Sequence, residues 1–348
     1  MLIIIISSIV VITVITSNIW NIYRYGKIAE LELIINDLKF DNETLKKKCI
    51  GISNNRFCES CEIDCRIRKK IERENGMENI IEKITKLGIK EHIEFMEGSF
   101  PFKIDESVNN TIVYEKSIER IEIEPRFNET IIEVRPTTVM SDFEVICKND
   151  NSNVAVVNPA SYYDPCGMFA TKIPFLRDGV EENICANTNL ANILYAFKNT
   201  FYEYNRHNEH FKGLYSNRAL FIPNVQFRTA TNSGVGFNVI SITPPDGNKF
   251  KKSFLINPLC APRKINTALA LRIEMLLNIA YENNISTLII SGFGSEDNLV
   301  KPEIVADIFN KYLNGRFKNA FEKIHFCISK SEHEEIYDIF RYEFIEKR

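Results

Sequence analysis

At 348 residues the chain is long enough for one large domain with appendages or for two domains. An apolar fraction of 45% supports a sizeable core, and a formal net charge of −3 excludes the global basic excess of a nucleic-acid binder, so no direct DNA binding is expected. Five of the nine cysteines are scattered singly (Cys147, Cys166, Cys185, Cys260 and Cys327), as reduced thiols of a cytosolic core would be.

Residues 2–22 are apolar apart from small hydroxyl residues and two asparagines, a length that suits one bilayer crossing. Trp20, Tyr23 and Tyr25 fall where an aromatic belt would sit. A signal peptide competes with this reading, but it would want a positive start and a small-residue cleavage site. Arg24, Lys27 and Lys46 to Lys48 follow the span and no basic residue precedes it. The charge bias therefore predicts a single-pass membrane anchor over residues 1–24, with the C-terminal bulk cytoplasmic. Residues 25–75 read as a helical stalk: Ile28, Leu31, Ile34, Ile35, Leu38 and Leu45 make an apolar stripe, either a short coiled coil or a solvated linker helix.

The stalk also holds Cys49, Cys58, Cys61 and Cys65, four thiols among flanking lysines and arginines. They could close a tetrahedral structural zinc site, with disulfides and unligated thiols as the alternatives, because the spacing is not that of a standard pair of knuckles. Residues 66–96 look helical. Between Thr111 and Cys147 the segments TIVYEK, RIEIE, TIIEV and FEVIC read as strands, punctuated by Pro125 and Pro136.

The stretch NVAVVNPASYYDPCGMFATKIPFLRDGVEENICANTNL follows. A buried-type strand at Val154 to Val157 runs into a turn-rich loop, then into the acidic pair Glu181-Glu182, with a helix expected from about Asn187. The pair could do acid–base work, or it could be the ordinary acidic start of a helix. Residues 190–204 then read as helix, ALFIPNVQF and NVISIT as strands, 264–284 as an amphipathic helix and STLIISGFG as a buried strand ending in glycines. Helix 302–320, strand KIHFCIS and helix 332–346 complete the chain. Strands alternating with helices predict an α/β sheet covered on both faces. Two loops, residues 158–167 and 291–298, would follow neighbouring strands, and glycines placed there let backbone N–H groups approach a phosphate.

The order of these pieces resembles the microbial-type poly(ADP-ribose) glycohydrolases, a branch of the macrodomain superfamily. That family's core reads roughly N-F-A-(N/S)-A-x-x-P-G-G-G and then Q-E-E; here Asn158, Ala160, Ser161, Pro165, Gly167 and Phe169 fit it, followed by Glu181 and Glu182. FYEYNR, GLYSN, FIPNVQFR, VISITPP and the run from Leu271 to Phe309 are similar to later family segments, and the likeness covers about residues 80–346. It implies a three-layer α/β/α macrodomain-like mixed sheet over residues 76–348, preceded by the transmembrane helix and stalk. The implied activity is hydrolysis of ADP-ribose polymers or ADP-ribosyl groups on modified proteins, with no cofactor required for catalysis. By resemblance, Glu182 is the catalytic acid and Glu181 holds ribose hydroxyls. Asn158 and Ser161, with Ala160 beside them, position the distal ribose. Cys166, Gly167 and Met168, together with Gly292, Phe293, Gly294 and Ser295, cradle the diphosphate, and an aromatic near the C-terminus, Phe340 or Phe344, covers the ligand.

Several positions depart from the family pattern. Cys166 and Met168 replace glycines and are expected to crowd a phosphate and to resist glycine-only backbone angles. Val180 replaces the Gln, and Glu296 and Asp297 bring negative charge to the second loop. An ADP-ribose-binding module without catalysis, and a structural membrane protein reusing the fold, are the alternative readings.

Overall fold

The structure, a computed structural model, describes residues 92–115, 121–147, 153–162, 164–167, 179–207, 213–228, 234–253, 261–296 and 299–347. The chain divides after Gly88, and every described residue belongs to the second unit, Ile89–Arg348. The expected anchor, the stalk and Cys49, Cys58, Cys61 and Cys65 therefore lie outside the described residues, as does Met168. Among the described residues no helix is long and apolar enough to cross a membrane, and no cluster of His, Cys, Asp and Glu is arranged to hold a metal ion.

Among the described residues, seven strands form one mixed sheet: β1 (Ile112–Tyr114), β2 (Ile131–Arg135), β3 (Val154–Pro159), β4 (Ala219–Arg228), β5 (Gly234–Ile242), β6 (Thr287–Ile290) and β7 (Lys323–Cys327). Their order is β1-β4-β5-β3-β6-β7-β2, so β3 is the central strand. It runs parallel to β5 and β6, the parallel run continues through β7 to β2, and β4 is antiparallel to both β5 and β1. The C-terminal ends of β5, β3 and β6 thus line one edge, the place where open α/β sheets bind ligands.

Alternation along the strands explains the layering. Ala155 and Val157, Ile240 and Ile242, and Leu288 and Ile290 pack on one face with helices α7 (Ala261–Glu282) and α8 (Pro302–Asn314), and Phe340 of helix α9 (Glu334–Arg341) joins the same core. Val154, Val156, Val239 and Ile289 pack on the other face with α2 (Val139–Ile146), α3 (Val180–Asn187) and α4 (Leu190–Ala196). Val154, Ala155, Val156 and Val157 are all buried, as a parallel strand covered on both sides requires. Each fully buried valine there contributes roughly 1.5–3 kcal/mol. Further helices are α1 (Pro101–Asn110), α5 (Glu203–His207) and α6 (Gly247–Ser253); π-helical turns occupy Lys198–Tyr202 and Tyr342–Glu346.

Three expectations are corrected. FEVIC is the second half of α2, not a strand: Thr138 caps the helix by accepting the Ser141 N–H at 3.3 Å, and Val139, Met140, Phe143 and Ile146 bury one helical face. Residues 121–124 of RIEIE are described and form no strand. The acidic pair expected just ahead of a helix from about Asn187 lies inside an earlier one: α3 begins at Val180 and holds both glutamates in its first turn, and the expected helix follows as α4 from Leu190.

Candidate active site

β3 delivers Asn158, fully buried, to the strand-end edge. α3 points its first turn at the same spot, so Glu181 and Glu182 are both buried beside it. A helix N-terminus favours carboxylates electrostatically, while burial opposes their ionisation.

Glu181 sits in a closed network. Its Oε2 accepts the Ser161 N–H at 2.7 Å, and its Oε1 accepts the Tyr202 hydroxyl at 2.5 Å and the Asn158 amide at 3.3 Å. Burial pushes the carboxyl up, and the charge of Glu182 adds to that; the hydrogen bonds from Tyr202, Ser161 and Asn158 pull the other way, leaving it at about 7. Tyr202 closes the π-helical turn Lys198–Tyr202, a distortion frequent at functional sites. The Asn158 amide also donates to the Ser241 hydroxyl, its register partner on β5, at 3.1 Å. The Asn158 side-chain carbonyl oxygen is buried and has no hydrogen-bond partner among the described residues, and a sugar hydroxyl would satisfy it.

Glu182 is held by shape. A Cβ on Gly167 would stand 2.2 Å from one carboxylate oxygen of Glu182, and a Cβ on Gly179 would stand 2.2 Å from the other. The two glycines form a slot that fits this carboxylate only while both lack side chains. Gly167 also has φ +55, whereas Gly179 caps α3 at an ordinary φ of −75, so space alone requires glycine there.

Cys166 takes a left-handed backbone, with φ +64, despite its side chain. Its thiol is buried against the Cys185 thiol, and burial pushes both thiols up. The expected crowding of a phosphate by this side chain is therefore corrected: the sulfur packs into the core. Ala160 is buried and anchors the loop by donating its N–H to Ile242 O at 3.1 Å.

The second loop follows β6, which pairs directly with β3. Phe293 and Gly294 take positive φ values of +51 and +89. Ser295 Oγ donates to Gly292 O at 2.7 Å, and the Gly292 N–H donates to Glu296 Oε1 at 2.6 Å. A side-chain carboxylate thus already engages one of the amides expected to meet a phosphate. The Phe293 side chain is buried edge-on against Phe309, so only its backbone belongs to the loop. Phe344 and Phe340 are also corrected as ligand covers: Phe344 stacks on Phe326 at 4.5 Å, Phe340 packs on the same ring at 5.3 Å, and both are fully buried core residues.

Residues 89–229 match the family model described as microbial-type PARG, catalytic domain. Over those residues the chain resembles a divergent member of that family. The matched span holds Asn158, Ser161, Gly167, Gly179, the glutamate pair and Tyr202, and ends before the second loop. Solved structures share the fold. The poly(ADP-ribose) glycohydrolase of Deinococcus radiodurans in complex with ADP-ribose is 21% identical, with a TM-score of 0.60 over 70% of this chain and 97% of that one. The enzyme from Thermomonospora curvata bound to the inhibitor ADP-HPD is 18% identical, with a TM-score of 0.61 over 75% and 99%. No curated protein sequence matches. Sequence reasoning missed Gly179, Ser241 and the role of Tyr202. Tyr202 lay within the FYEYNR segment already noted, but nothing local to that segment ties its hydroxyl to a glutamate 21 positions earlier.

Proposed function

We propose that this chain hydrolyses ADP-ribose polymers or ADP-ribosyl groups and releases ADP-ribose. The observation that carries the reading is the glutamate pair: Glu182 fixed in its two-glycine slot, next to Glu181 in a hydrogen-bonded network with Asn158, whose side-chain carbonyl lacks a partner among the described residues. Binding of ADP-ribose and of ADP-HPD by the structural relatives supports the ligand class.

In this mechanism the terminal ribose meets Asn158 and Glu181 through its hydroxyls. Glu182 gives its proton to the glycosidic oxygen as the bond to the anomeric carbon breaks and positive charge develops on the ribosyl ring. The same carboxylate then takes a proton from water as water adds to that carbon. Glu181, at about 7, passes between accepting and donating a hydrogen bond near neutral pH. The test is incubation of the full chain with labelled poly(ADP-ribose). Free ADP-ribose should appear, and Glu182→Gln should suppress it by about 10²-fold or more. Undiminished release by the variant would sink the assignment.

Glu296 favours a second reading. Its carboxylate on the Gly292 N–H opposes an incoming diphosphate, as expected of a scaffold that no longer takes nucleotide. Absence of both release and calorimetric binding of ADP-ribose would select it.

We also propose that residues 1–24 anchor the chain in a membrane with the domain cytoplasmic, on the strength of the apolar run and the basic residues after it. The chain should stay with membranes after alkaline carbonate washing. Glycosylation at Asn42, Asn109 or Asn128 would put the domain on the opposite side.

A further inference from the structure

A second group of side chains gathers near the end of the neighbouring strand, β5. Tyr162 directly follows Ser161, whose N–H holds Glu181. Its ring stacks on Tyr215, with centroids 4.7 Å apart and planes within 11°. The exposed Lys249 of α6 brings its Nζ 4.4 Å from the Tyr162 centroid and 5.6 Å from that of Tyr215. This group is braced from below. Tyr215 has φ +55, and the buried Arg272 guanidinium donates to the carbonyls of Leu214 (2.8 Å), Tyr215 (3.2 Å) and Thr243 (2.8 Å). Asp246 donates its N–H to Gly213 O at 2.7 Å and accepts the Lys249 N–H at 2.7 Å. The Tyr215 hydroxyl is buried and has no hydrogen-bond partner among the described residues.

Sheet order gives this group its meaning. β3, with Asn158 at its end, lies between β5 and β6. The glycine loop after β6 stands on one side of the glutamates. Arg272 ties the tyrosine pair to Thr243, which directly follows β5, on the other side. A substrate whose diphosphate lies towards β6 and whose terminal ribose meets Glu182 must project its leaving portion towards β5. In an ADP-ribose polymer that portion carries a purine and phosphates. An aromatic face beside a lysine suits both, by base stacking and by charge.

We propose that Tyr162, backed by Tyr215 and flanked by Lys249, is a subsite for the leaving nucleotide unit of an ADP-ribose polymer. The purine stacks on Tyr162, and Lys249 takes a phosphate. The subsite selects polymer over singly modified protein. This inference rests on the function proposed above, and the experiment separates the two.

The full chain carrying Glu182→Gln, to prevent turnover, is titrated with ADP-ribose, with an ADP-ribose trimer and with a mono-ADP-ribosylated peptide. The trimer should bind about tenfold more tightly than ADP-ribose. Adding Tyr162→Ala or Lys249→Gln should erase that advantage and leave ADP-ribose affinity within twofold, while Tyr162→Phe should keep it. If no ligand binds, the proposed function falls and the subsite with it. If ADP-ribose binds and the trimer gains nothing, the subsite alone falls. Equal weakening of ADP-ribose and trimer in the variants, or a loss confined to the modified peptide, also overturns it.

Discussion

A carboxyl raised to about 7 titrates where most proteins are studied, and Glu181 is such a group. Its folded-state value lies above the ordinary 4.5, so the folded protein keeps this proton longer than the unfolded chain does. The stability it contributes is complete below about pH 4.5 and is lost as pH rises through about 7. The melting temperature should therefore carry a declining component between those values, measurable by circular dichroism in a series of buffers. Glu181→Gln should flatten that component; an unchanged slope would mean that another group causes it. Gly179 makes the second residue-scale case. Its backbone tolerates alanine, but the methyl group would collide with the Glu182 carboxylate. Gly179→Ala should lower kcat by about 10²-fold or more, because a displaced acid cannot protonate the leaving oxygen. KM and melting temperature should change little, as steady-state kinetics and thermal melts would report.

Among the elements, legibility followed locality. β3, β6 and α7 announced themselves through continuous or periodic apolar runs, and the pairing of β3 with β6 followed from alternating strands and helices. α2 did not, because Phe143, Val145 and Ile146 crowd a short window in which β-branched and aromatic residues imitate a strand. What decided the matter was the Thr138 cap and the sheet face waiting above Met140 and Phe143. Asn158, Glu181 and Glu182 were readable because a single stretch of chain holds them. The π-helical turn that brings Tyr202 to Glu181 breaks the 3.6-residue period, so no periodicity argument could place it. The second loop gives a prediction of its own. Glu296→Ala releases the Gly292 N–H and removes a negative charge from the path of a diphosphate. ADP-ribose affinity should rise about tenfold by calorimetry, and a fall would show that the carboxylate organises the loop for binding.

On the scale of the whole domain, strand order does the positioning. Five parallel strands put their C-terminal ends along one edge, and the central strand supplies the residue between the two glycine-bearing loops. Further along the sheet, beyond β6, His325 of β7 and Arg135 of β2 bond to Asp142 of α2 at 2.8 Å and 2.6 Å. Burial alone would raise the Asp142 carboxyl; its contacts with His325 and Arg135 outweigh that and hold it below the usual range. This pins α2 over the edge strands, far along the sheet from the tyrosine stack, and leaves the middle of the edge to the chemistry. Sequence reading anticipated both covered faces of the sheet. It could not anticipate that the thiol of Cys166 would turn inwards, because that depends on Cys185 arriving from α3.

The carboxylate of Glu296 also sets the tempo of any encounter at this edge. A newcomer bearing phosphates would find a key amide engaged, so docking becomes an exchange rather than the filling of an empty seat. In rapid mixing, the observed rate should climb with ligand concentration and then level off. The plateau is the frequency with which that side chain lets go.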